Sequence, residues 1–312
     1  MRRGHFIETV KIGFKNMRSR ILGNMKLDRF DRLVWQHDRM LLDDLVFRLE
    51  HYRSPDWDGG DHFRFYKTKE LVDQYANFFS RRSDFRAERV IELGIYDGGS
   101  TAFWYELFQP QKHVALDIQG QTDPPYFRRY VESRGLDGRI KTHWNTDQAD
   151  KARLRTIVET EFDGPLDLVI DDASHLYWPT LGSFEALFPL LTPGGLYIIE
   201  DWSWGHWPDF IVPNNLRAAE DSLTRLVIDL VEAAGTLTQC DGTLQCWQLI
   251  LSLVVYPGFV VVERGPQQLD KATPFNLEDH IKRRPGRRQL RLFSQLARNL
   301  QRKLGRFANR TT

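Results

Sequence analysis

The sequence predicts an α/β fold, with a doubly wound, mostly parallel seven-stranded sheet, a C-terminal antiparallel hairpin and an N-terminal helical cap. Two observations support this prediction. From Arg89 onward, strand-like apolar runs alternate with helical segments, which is typical of parallel βαβ units. Near the end, two apolar runs are separated only by Pro257-Gly258. So short a connection forces an antiparallel pair, because a parallel crossover needs about a dozen residues.

Five strand-like runs precede the hairpin. They are Arg89–Leu93, His113–Asp117, Ile140–Trp144, Leu166–Asp171 and Gly195–Glu200, and the hairpin strands are Leu249–Tyr256 and Phe259–Glu263. The helices predicted after these strands lie near Thr101–Leu107, Tyr126–Ser133, Lys151–Glu161, Thr180–Leu190 and Asn215–Ala234. In such a sheet the carboxyl ends of the parallel strands meet at one edge, where ligands bind.

The segment before the sheet predicts the helical cap. Apolar residues recur at steps of three and four between Leu33 and Leu49, which is typical of an amphipathic helix, and Glu70–Phe79 also has a helical pattern. We therefore expect three regions: a basic segment and helical cap over 1–85, the main domain over 86–265, and a basic amphipathic tail over 266–312.

The near-neutral net charge conceals basic ends and an acidic body. Residues 1–26 carry seven Lys or Arg and one acid, and residues 281–312 carry eleven and none, which leaves 25 basic and 41 acidic residues between them. An acidic body disfavours a nucleic-acid groove across the main domain. Both ends have helical apolar spacing, which suits peripheral contact with the inner face of a membrane. The alternatives are packing on the acidic body, homo-oligomerisation and contact of the basic ends with nucleic acid.

Cysteine content and hydropathy predict a cytoplasmic location. The chain has two cysteines, Cys240 and Cys246, and their spacing requires neither a disulfide framework nor a zinc site. The basic N-terminal segment lacks the apolar stretch of a signal peptide, and no window reaches the roughly 18 apolar residues of a membrane-spanning helix.

A glycine-bearing turn follows the first strand of the main domain, where residues 90–100 read VIELGIYDGGS. Glycine lets the backbone approach a ligand closely, and the N-terminus of the next helix offers free N–H groups. Gly94, Tyr96 and Ser100 are therefore candidate cofactor contacts. Asp117, which ends the next strand, can accept hydrogen bonds from ribose hydroxyls. The alternative is a tight turn with no bound ligand and a capping acid.

Four carboxylates end two neighbouring strands of the predicted sheet. They are Asp171, Asp172, Glu200 and Asp201, and His175 follows three residues after Asp172. Carboxylates in one cleft repel each other unless a cation compensates. Oxygen ligands without cysteine indicate Mg²⁺, Mn²⁺ or Ca²⁺. Asp171 is also a candidate cofactor contact, and the alternative is that several of these acids cap helices or accept backbone hydrogen bonds.

Three motifs together resemble a known family. The glycine turn, the Asp-Asp-Ala-Ser-His segment (171–175) and the Gly-Gly-Leu-Tyr-Ile-Ile-Glu-Asp segment (194–201) are similar to the Mg²⁺-dependent sugar O-methyltransferases of macrolide and aminocoumarin biosynthesis and to cephalosporin hydroxylase-like proteins. The resemblance covers about residues 60–265 and implies a Rossmann-like S-adenosylmethionine-dependent methyltransferase domain. It implies metal ligation by Asp172, Glu200 and Asp201, with His175 as general base. It also implies cofactor contacts by Glu92, Gly94 and Asp117.

The resemblance predicts an O-methyltransferase that uses S-adenosyl-L-methionine and Mg²⁺ (or Mn²⁺) to methylate a hydroxyl of a sugar, glycosylated metabolite or glycolipid. A bound divalent ion lowers the pKa of an acceptor hydroxyl and fixes its position, and an imidazole can take the proton near neutral pH. The alternatives are a metal-independent methyltransferase for another small molecule and a non-catalytic cofactor-binding scaffold that docks through its basic ends.

Overall fold

The structure is a computed structural model of the protein. It describes residues 29–49, 60–207, 222–236, 238–240, 244–246, 249–269 and 273–281. The basic N-terminal segment (1–28) and most of the basic C-terminal tail (270–272 and 282–312) lie outside these residues, so their helices and partners remain predictions. Within the described residues, no helix is long and apolar enough to cross a membrane. These residues divide into two compact units.

The first unit contains a four-stranded sheet where the sequence predicted a helical cap. Its described residues are 29–49, 60–86, 97–109 and 124–130. The strands pair in the order β1 (Leu33–Trp35), β2 (Arg39–Leu42), β3 (Leu45–Leu49) and β4 (Phe63–Phe65). A short 3-10 helix, Arg29–Arg32, precedes them.

The predicted helix over Leu33–Leu49 is therefore wrong. Buried residues alternate with more exposed ones in β2 and β3, which is the two-residue period of a strand. Asp43, with a φ of 54°, turns the chain between the two strands, and Leu42 pairs with Leu45 across this turn. A turn of only two residues between paired strands is typical of a β-hairpin.

The helices of the first unit pack on aromatic side chains. Helix α1 (Lys69–Ser80) confirms the prediction over Glu70–Phe79 and begins at Thr68, whose side chain accepts a hydrogen bond from the Leu71 amide. Helix α2 spans Gly99–Phe108. Phe103 in α2 lies with its ring centroid 5.1 Å from that of Phe65 in β4, and both side chains are almost fully buried. Such aromatic contacts contribute beyond the area that they bury.

The second unit confirms the predicted sheet. Its described strands are β5 (Arg89–Leu93), β6 (Lys112–Leu116), β7 (Ile140–His143), β8 (Leu166–Asp171), β9 (Leu191–Glu200), β12 (Ile250–Val255) and β13 (Phe259–Arg264). They form one seven-stranded sheet in the order β12-β13-β9-β8-β5-β6-β7. Strands β5 to β9 run parallel, and the hairpin β12–β13 pairs antiparallel with β9.

The helices that follow these strands also lie close to their predicted positions. They are α3 (Pro125–Ser133), α4 (Lys151–Glu161), α5 (Tyr177–Leu187) and α6 (Thr224–Ala234). A 3-10 helix, Phe188–Leu190, continues α5. Residues 215–221 of the predicted helix Asn215–Ala234 lie outside the described residues. The two cysteines lie in a small hairpin, β10 (Thr238–Cys240) and β11 (Leu244–Cys246), which the sequence analysis did not predict.

An apolar core covers one face of this sheet. Buried residues of β5, β6, β8 and β9 pack there with residues of α4, α5 and α6. Phe275 and Leu277, just after the sheet, join the same core, and the Leu277 amide donates to Glu185 of α5. Burial of each such large apolar side chain contributes about 1.5–3 kcal/mol. The core therefore fixes the carboxyl ends of β5, β6, β8 and β9, where the predicted functional residues lie.

Candidate active site

The chain reverses direction in the sheet next to β5, and the glycine turn lies at this point. From β5 the chain runs outward through β6 and β7, then returns to β8 on the other side of β5. Ligands of doubly wound sheets bind outside the carboxyl ends of the strands at such a switch. Gly94 has a φ of 99°, and a Cβ there would lie 2.2 Å from the backbone oxygen of Asp172. Only glycine therefore fits between the turn and the segment that follows β8.

Asp117 holds the glycine turn through backbone hydrogen bonds. Its Oδ2 accepts from the amides of Ile95 and Tyr96, each at 2.9 Å, and its Oδ1 accepts from the amide of Gln119 at 2.9 Å. These bonds support Tyr96 at a φ of 50°, a left-handed conformation that is unfavourable for a bulky side chain. Since Oδ1 accepts only one of these bonds, it can accept another from a hydroxyl group. Asp117 fits both the capping role and a role in ribose binding.

Three of the predicted site residues come together at the ends of β8 and β9. The Nε2 atom of His175 lies 3.9 Å from Oδ1 of Asp172 and 4.0 Å from Oδ2 of Asp201. The side chains of Asp172, His175 and Asp201 are 24%, 30% and 35% exposed, respectively. The three side chains are partly open to solvent. Both distances from His175 are longer than a hydrogen bond. We call these three residues the Asp-His-Asp cluster.

Two residues of the Asp-His-Asp cluster have strained backbone conformations. His175 has a φ of 54° and Asp201 a φ of 51°. A non-glycine residue in this region costs of order 1–3 kcal/mol and persists only where its surroundings hold it. The Asp201 amide donates to Gly258 at 2.8 Å, and the indole of Trp204 donates to the His175 backbone oxygen. Strain of this kind is common at functional sites, so it supports the assignment of a site here.

The Asp-His-Asp cluster fits a small divalent cation. One ligand atom from each of the three residues lies within 4.8 Å of the others. Adjacent ligands at about 2.1 Å around an octahedral Mg²⁺ ion lie roughly 3.0 Å apart, so His175, at 3.9 and 4.0 Å from the two carboxylates, is better placed beside such an ion than among its ligands. Carboxylate oxygens without cysteine suit Mg²⁺ or Mn²⁺. The geometry therefore fits an ion held by the two carboxylates beside an unligated His175.

Comparison with known proteins identifies the domain that contains this site. Residues 91–202 match the family model described as a methyltransferase domain. This segment is a class I S-adenosylmethionine-dependent methyltransferase domain. The family resemblance predicted from the three motifs is confirmed.

The relatives of the methyltransferase domain include sugar O-methyltransferases. The 8-demethyl-8-alpha-L-rhamnosyl tetracenomycin-C 2'-O-methyltransferase of Streptomyces olivaceus is 35% identical over 51% of this chain and 40% of its own length. Demethylmacrocin O-methyltransferase of Streptomyces fradiae is 33% identical over 69% of this chain and 49% of its own length. The chain thus spans two fifths to half of these relatives. Among solved structures, the MycE methyltransferase in complex with Mg, SAH and mycinamycin VI is 30% identical over 64% of this chain and 51% of that chain, with a TM-score of 0.47.

Two predicted glutamates of the methyltransferase domain lie outside the Asp-His-Asp cluster. Glu200 ends β9 beside Asp201 but is 1% exposed, and it does not belong to the group of ligand atoms found among the described residues. Glu92, in β5, is fully buried, with Oε2 3.3 Å from Nε2 of the equally buried His113 in β6. Metal ligation by Glu200 and cofactor contact by Glu92 remain predictions.

Asp171 lies in a buried hydrogen-bond network. Its Oδ2 accepts from the hydroxyls of Ser183 (2.6 Å) and Tyr197 (2.8 Å), and its Oδ1 accepts from the side-chain amide of Gln148 (3.1 Å). Burial raises the pKa of Asp171 to about 6, although the hydrogen bonds from Ser183 and Tyr197 oppose this rise. These contacts place the Asp171 carboxylate among buried groups of α5, β9 and the segment after β7. Its predicted contact with the cofactor remains a prediction.

The sequence analysis missed two residues that hold the site. Gln148 lies in a polar stretch that follows β7, and Trp204 lies in an aromatic segment that follows β9. Their hydrogen bonds to Ser174 and His175 were not predictable, since both are made by residues distant in sequence. Ser100, predicted to contact the cofactor, lies in the first turn of α2, in the first unit.

Proposed function

We propose that the protein is an S-adenosylmethionine-dependent O-methyltransferase that uses Mg²⁺ or Mn²⁺ to methylate a hydroxyl of a sugar or glycosylated molecule. The observation that carries this proposal is the Asp-His-Asp cluster, which directly follows β8 and β9 of a methyltransferase domain. The turn at Gly94 approaches the backbone of Asp172 too closely for any side chain. The proposed cofactor turn and the proposed acceptor site are therefore neighbours.

In the proposed reaction, the acceptor oxygen bonds to the methyl carbon while the carbon–sulfur bond breaks, leaving S-adenosylhomocysteine. The hydroxyl proton passes to Nε2 of His175, which lies about 4 Å from both carboxylates of the cluster on a partly exposed side chain. Asp172 and Asp201 would hold the divalent ion beside this imidazole. When bound, the divalent ion would lower the pKa of the acceptor hydroxyl and fix its position.

Exposed apolar side chains near the cluster in sequence support a sugar acceptor. Leu176 and Trp178, just after His175, are 39% and 59% exposed, and Trp207, six residues after Asp201, is 44% exposed. Flat aromatic rings suit the apolar face of a pyranose, and exposed aromatic groups of this size are enriched at binding surfaces. Two relatives from Streptomyces olivaceus are named for the methylation of a rhamnosyl group, which supports the same acceptor class.

Calorimetry can test the cofactor and the metal separately. We expect wild-type protein to bind S-adenosylmethionine with micromolar affinity and to bind Mg²⁺. We expect the double variant Asp172→Ala/Asp201→Ala to lose Mg²⁺ binding and to retain S-adenosylmethionine binding. Asp163→Ala is a suitable control, because this carboxylate is 88% exposed and lies outside the cluster. Absence of cofactor binding to the wild type would overturn the methyltransferase proposal.

A glycoside panel then tests the reaction itself. Methyl transfer from labelled cofactor to a sugar hydroxyl should require a divalent ion and should stop on addition of EDTA. Transfer that persists in EDTA would refute the metal-assisted mechanism and leave the methyltransferase assignment intact. Cofactor binding without turnover on any acceptor, unchanged in His175→Ala, would instead favour a non-catalytic binding module.

A further inference from the structure

We propose that Gln148 is a positioning residue whose buried amide fixes the loop that presents Asp172 and His175. This inference rests on the proposed function, because it concerns the same site. The loop, residues 172–176, begins directly after β8 and ends where α5 begins. Gln148 lies after β7, far from the loop in sequence, and is 5% exposed.

The side chain of Gln148 bridges two groups with opposite hydrogen-bonding needs. Its Nε2 donates to Oδ1 of Asp171 at 3.1 Å, and its Oε1 accepts from the backbone amide of Ser174 at 2.8 Å. A carboxylate oxygen accepts and a backbone N–H donates, so only this orientation of the amide group satisfies both. Gln148 therefore joins the buried carboxylate before the loop to the backbone in the middle of the loop.

The Asp171 carboxylate, to which Gln148 donates, is also held by two other side chains, so the position of Gln148 is fixed. Ser183 in α5 and Tyr197 in β9 both donate to Oδ2 of Asp171, the oxygen that Gln148 does not use. All of these side chains are buried. Buried polar networks of this kind, when their members are paired, specify a single arrangement.

The loop requires such an anchor because of the conformation of His175. The residue that Gln148 binds, Ser174, directly precedes His175, whose φ of 54° is unfavourable for a histidine. The Asp172 amide is held by Leu93 at 2.9 Å and the His175 oxygen by Trp204, so the loop is also fixed on either side of Ser174. Loss of the Gln148 bond would release the centre of the loop and let Asp172 and His175 move apart.

Two variants and a matched control test this inference. Gln148→Met keeps the side-chain length but removes both hydrogen bonds, and Gln148→Asn shortens the reach by one methylene. Tyr197→Phe is the control, since it removes one donor to the same Asp171 carboxylate without contacting Ser174. The Asn variant decides the question if the Met variant does not fold.

The first readout is hydrogen exchange at residues 172–178 in protein without metal or cofactor. We expect the Ser174 amide to exchange about tenfold faster in Gln148→Met, and to remain within about twofold of wild type in Tyr197→Phe. The second readout is the Kd for Mn²⁺ alone, measured by electron paramagnetic resonance. Loss of groups that orient ligands typically weakens binding 10–100-fold, and we expect a loss in that range for Gln148→Met only.

The possible outcomes separate this inference from the proposed function. Unchanged exchange at Ser174 in the folded Gln148 variants would overturn the role of Gln148, even if wild-type protein binds Mn²⁺. Equal effects of Tyr197→Phe and Gln148→Met would also overturn it, because the network as a whole would then be responsible. Wild-type protein that does not bind Mn²⁺ would refute the metal site of the proposed function, while the exchange data would still decide whether Gln148 holds the loop.

Discussion

Replacing Gly94 with alanine tests whether the glycine turn and the Asp172 segment are one structural unit. The added Cβ would lie 2.2 Å from the backbone oxygen of Asp172 and 2.9 Å from its carbonyl carbon. Ordinary van der Waals contact begins at 3.4 Å, so the two segments must separate by about 1 Å. The φ of 99° adds strain of order 1–3 kcal/mol. Separation would also weaken the bond from the Asp172 amide to Leu93, which contributes about 1 kcal/mol. We expect the free energy of unfolding to fall by about 2–4 kcal/mol.

Urea denaturation and Mn²⁺ titration of the same samples measure both consequences of Gly94→Ala. Gly138→Ala is the control, because a Cβ at Gly138 would meet no atom within 4 Å and its φ is not left-handed. The control should change stability by no more than about 0.5 kcal/mol. A 1 Å displacement of Asp172 should also weaken Mn²⁺ binding in the Gly94 variant. The reasoning is refuted if the two variants have equal stability and equal Mn²⁺ affinity.

Four further predictions concern catalysis, stability and the basic ends. His175→Gln should lower kcat about 10²–10⁴-fold and leave the Kd for S-adenosylmethionine unchanged, because it removes the proposed proton acceptor. Initial rates and calorimetry measure these values, and an unchanged kcat would contradict the assignment. Tyr177→Phe removes the 2.9 Å hydrogen bond to the buried Asp229 carboxylate and should lower the free energy of unfolding by about 1–3 kcal/mol in urea denaturation. Burial raises the pKa of Glu161, whereas hydrogen bonds and charges from Lys112 and His143 lower it. The lowering is larger, so the pKa lies below its ordinary value. The stabilisation from Glu161 should therefore be complete above that ordinary value and decline as the pH falls through the folded-state pKa. The difference in unfolding free energy between wild type and Glu161→Gln should shrink on acidification, and a pH-independent difference would refute this. The basic ends predict that the full chain floats with anionic vesicles at low salt and not with neutral ones.

The sequence was sufficient to predict the sheet of the second unit. Parallel βαβ units require alternating strands and helices, and the Pro257-Gly258 connection is too short for a parallel crossover. Chain connectivity thus restricted the topology without tertiary information. The same argument predicts that the carboxyl ends of β8 and β9 lie side by side. Asp172, His175 and Asp201, which follow these ends, could therefore be predicted to lie close together.

Local periodicity was insufficient for the first unit. Leu42, Leu45, Val46 and Leu49 have helical spacing, but a two-residue turn at Asp43 and Asp44 separates two strands within this stretch. The turn interrupts the two-residue alternation of the strands, so the apolar residues of the whole stretch recur at the spacing of a helix. The acidic pair between apolar runs was the available signal for a turn. Gln148 had no comparable signal, because its role depends on contacts with Asp171 and Ser174 that only the folded chain creates.

Adjacent acids at a strand end do not contribute equally to a site. Successive side chains of a strand point to opposite faces. Asp171 is 2% exposed and bonded within the protein, whereas the Asp172 side chain is 24% exposed and lies in the cluster. Glu200 is 1% exposed, whereas the Asp201 side chain is 35% exposed. The two adjacent pairs of acids therefore yield two carboxylates beside His175, because each strand end directs one acid toward the cluster and the other into the protein. The buried member is still relevant to the site where it anchors the loop, as Asp171 does through Gln148.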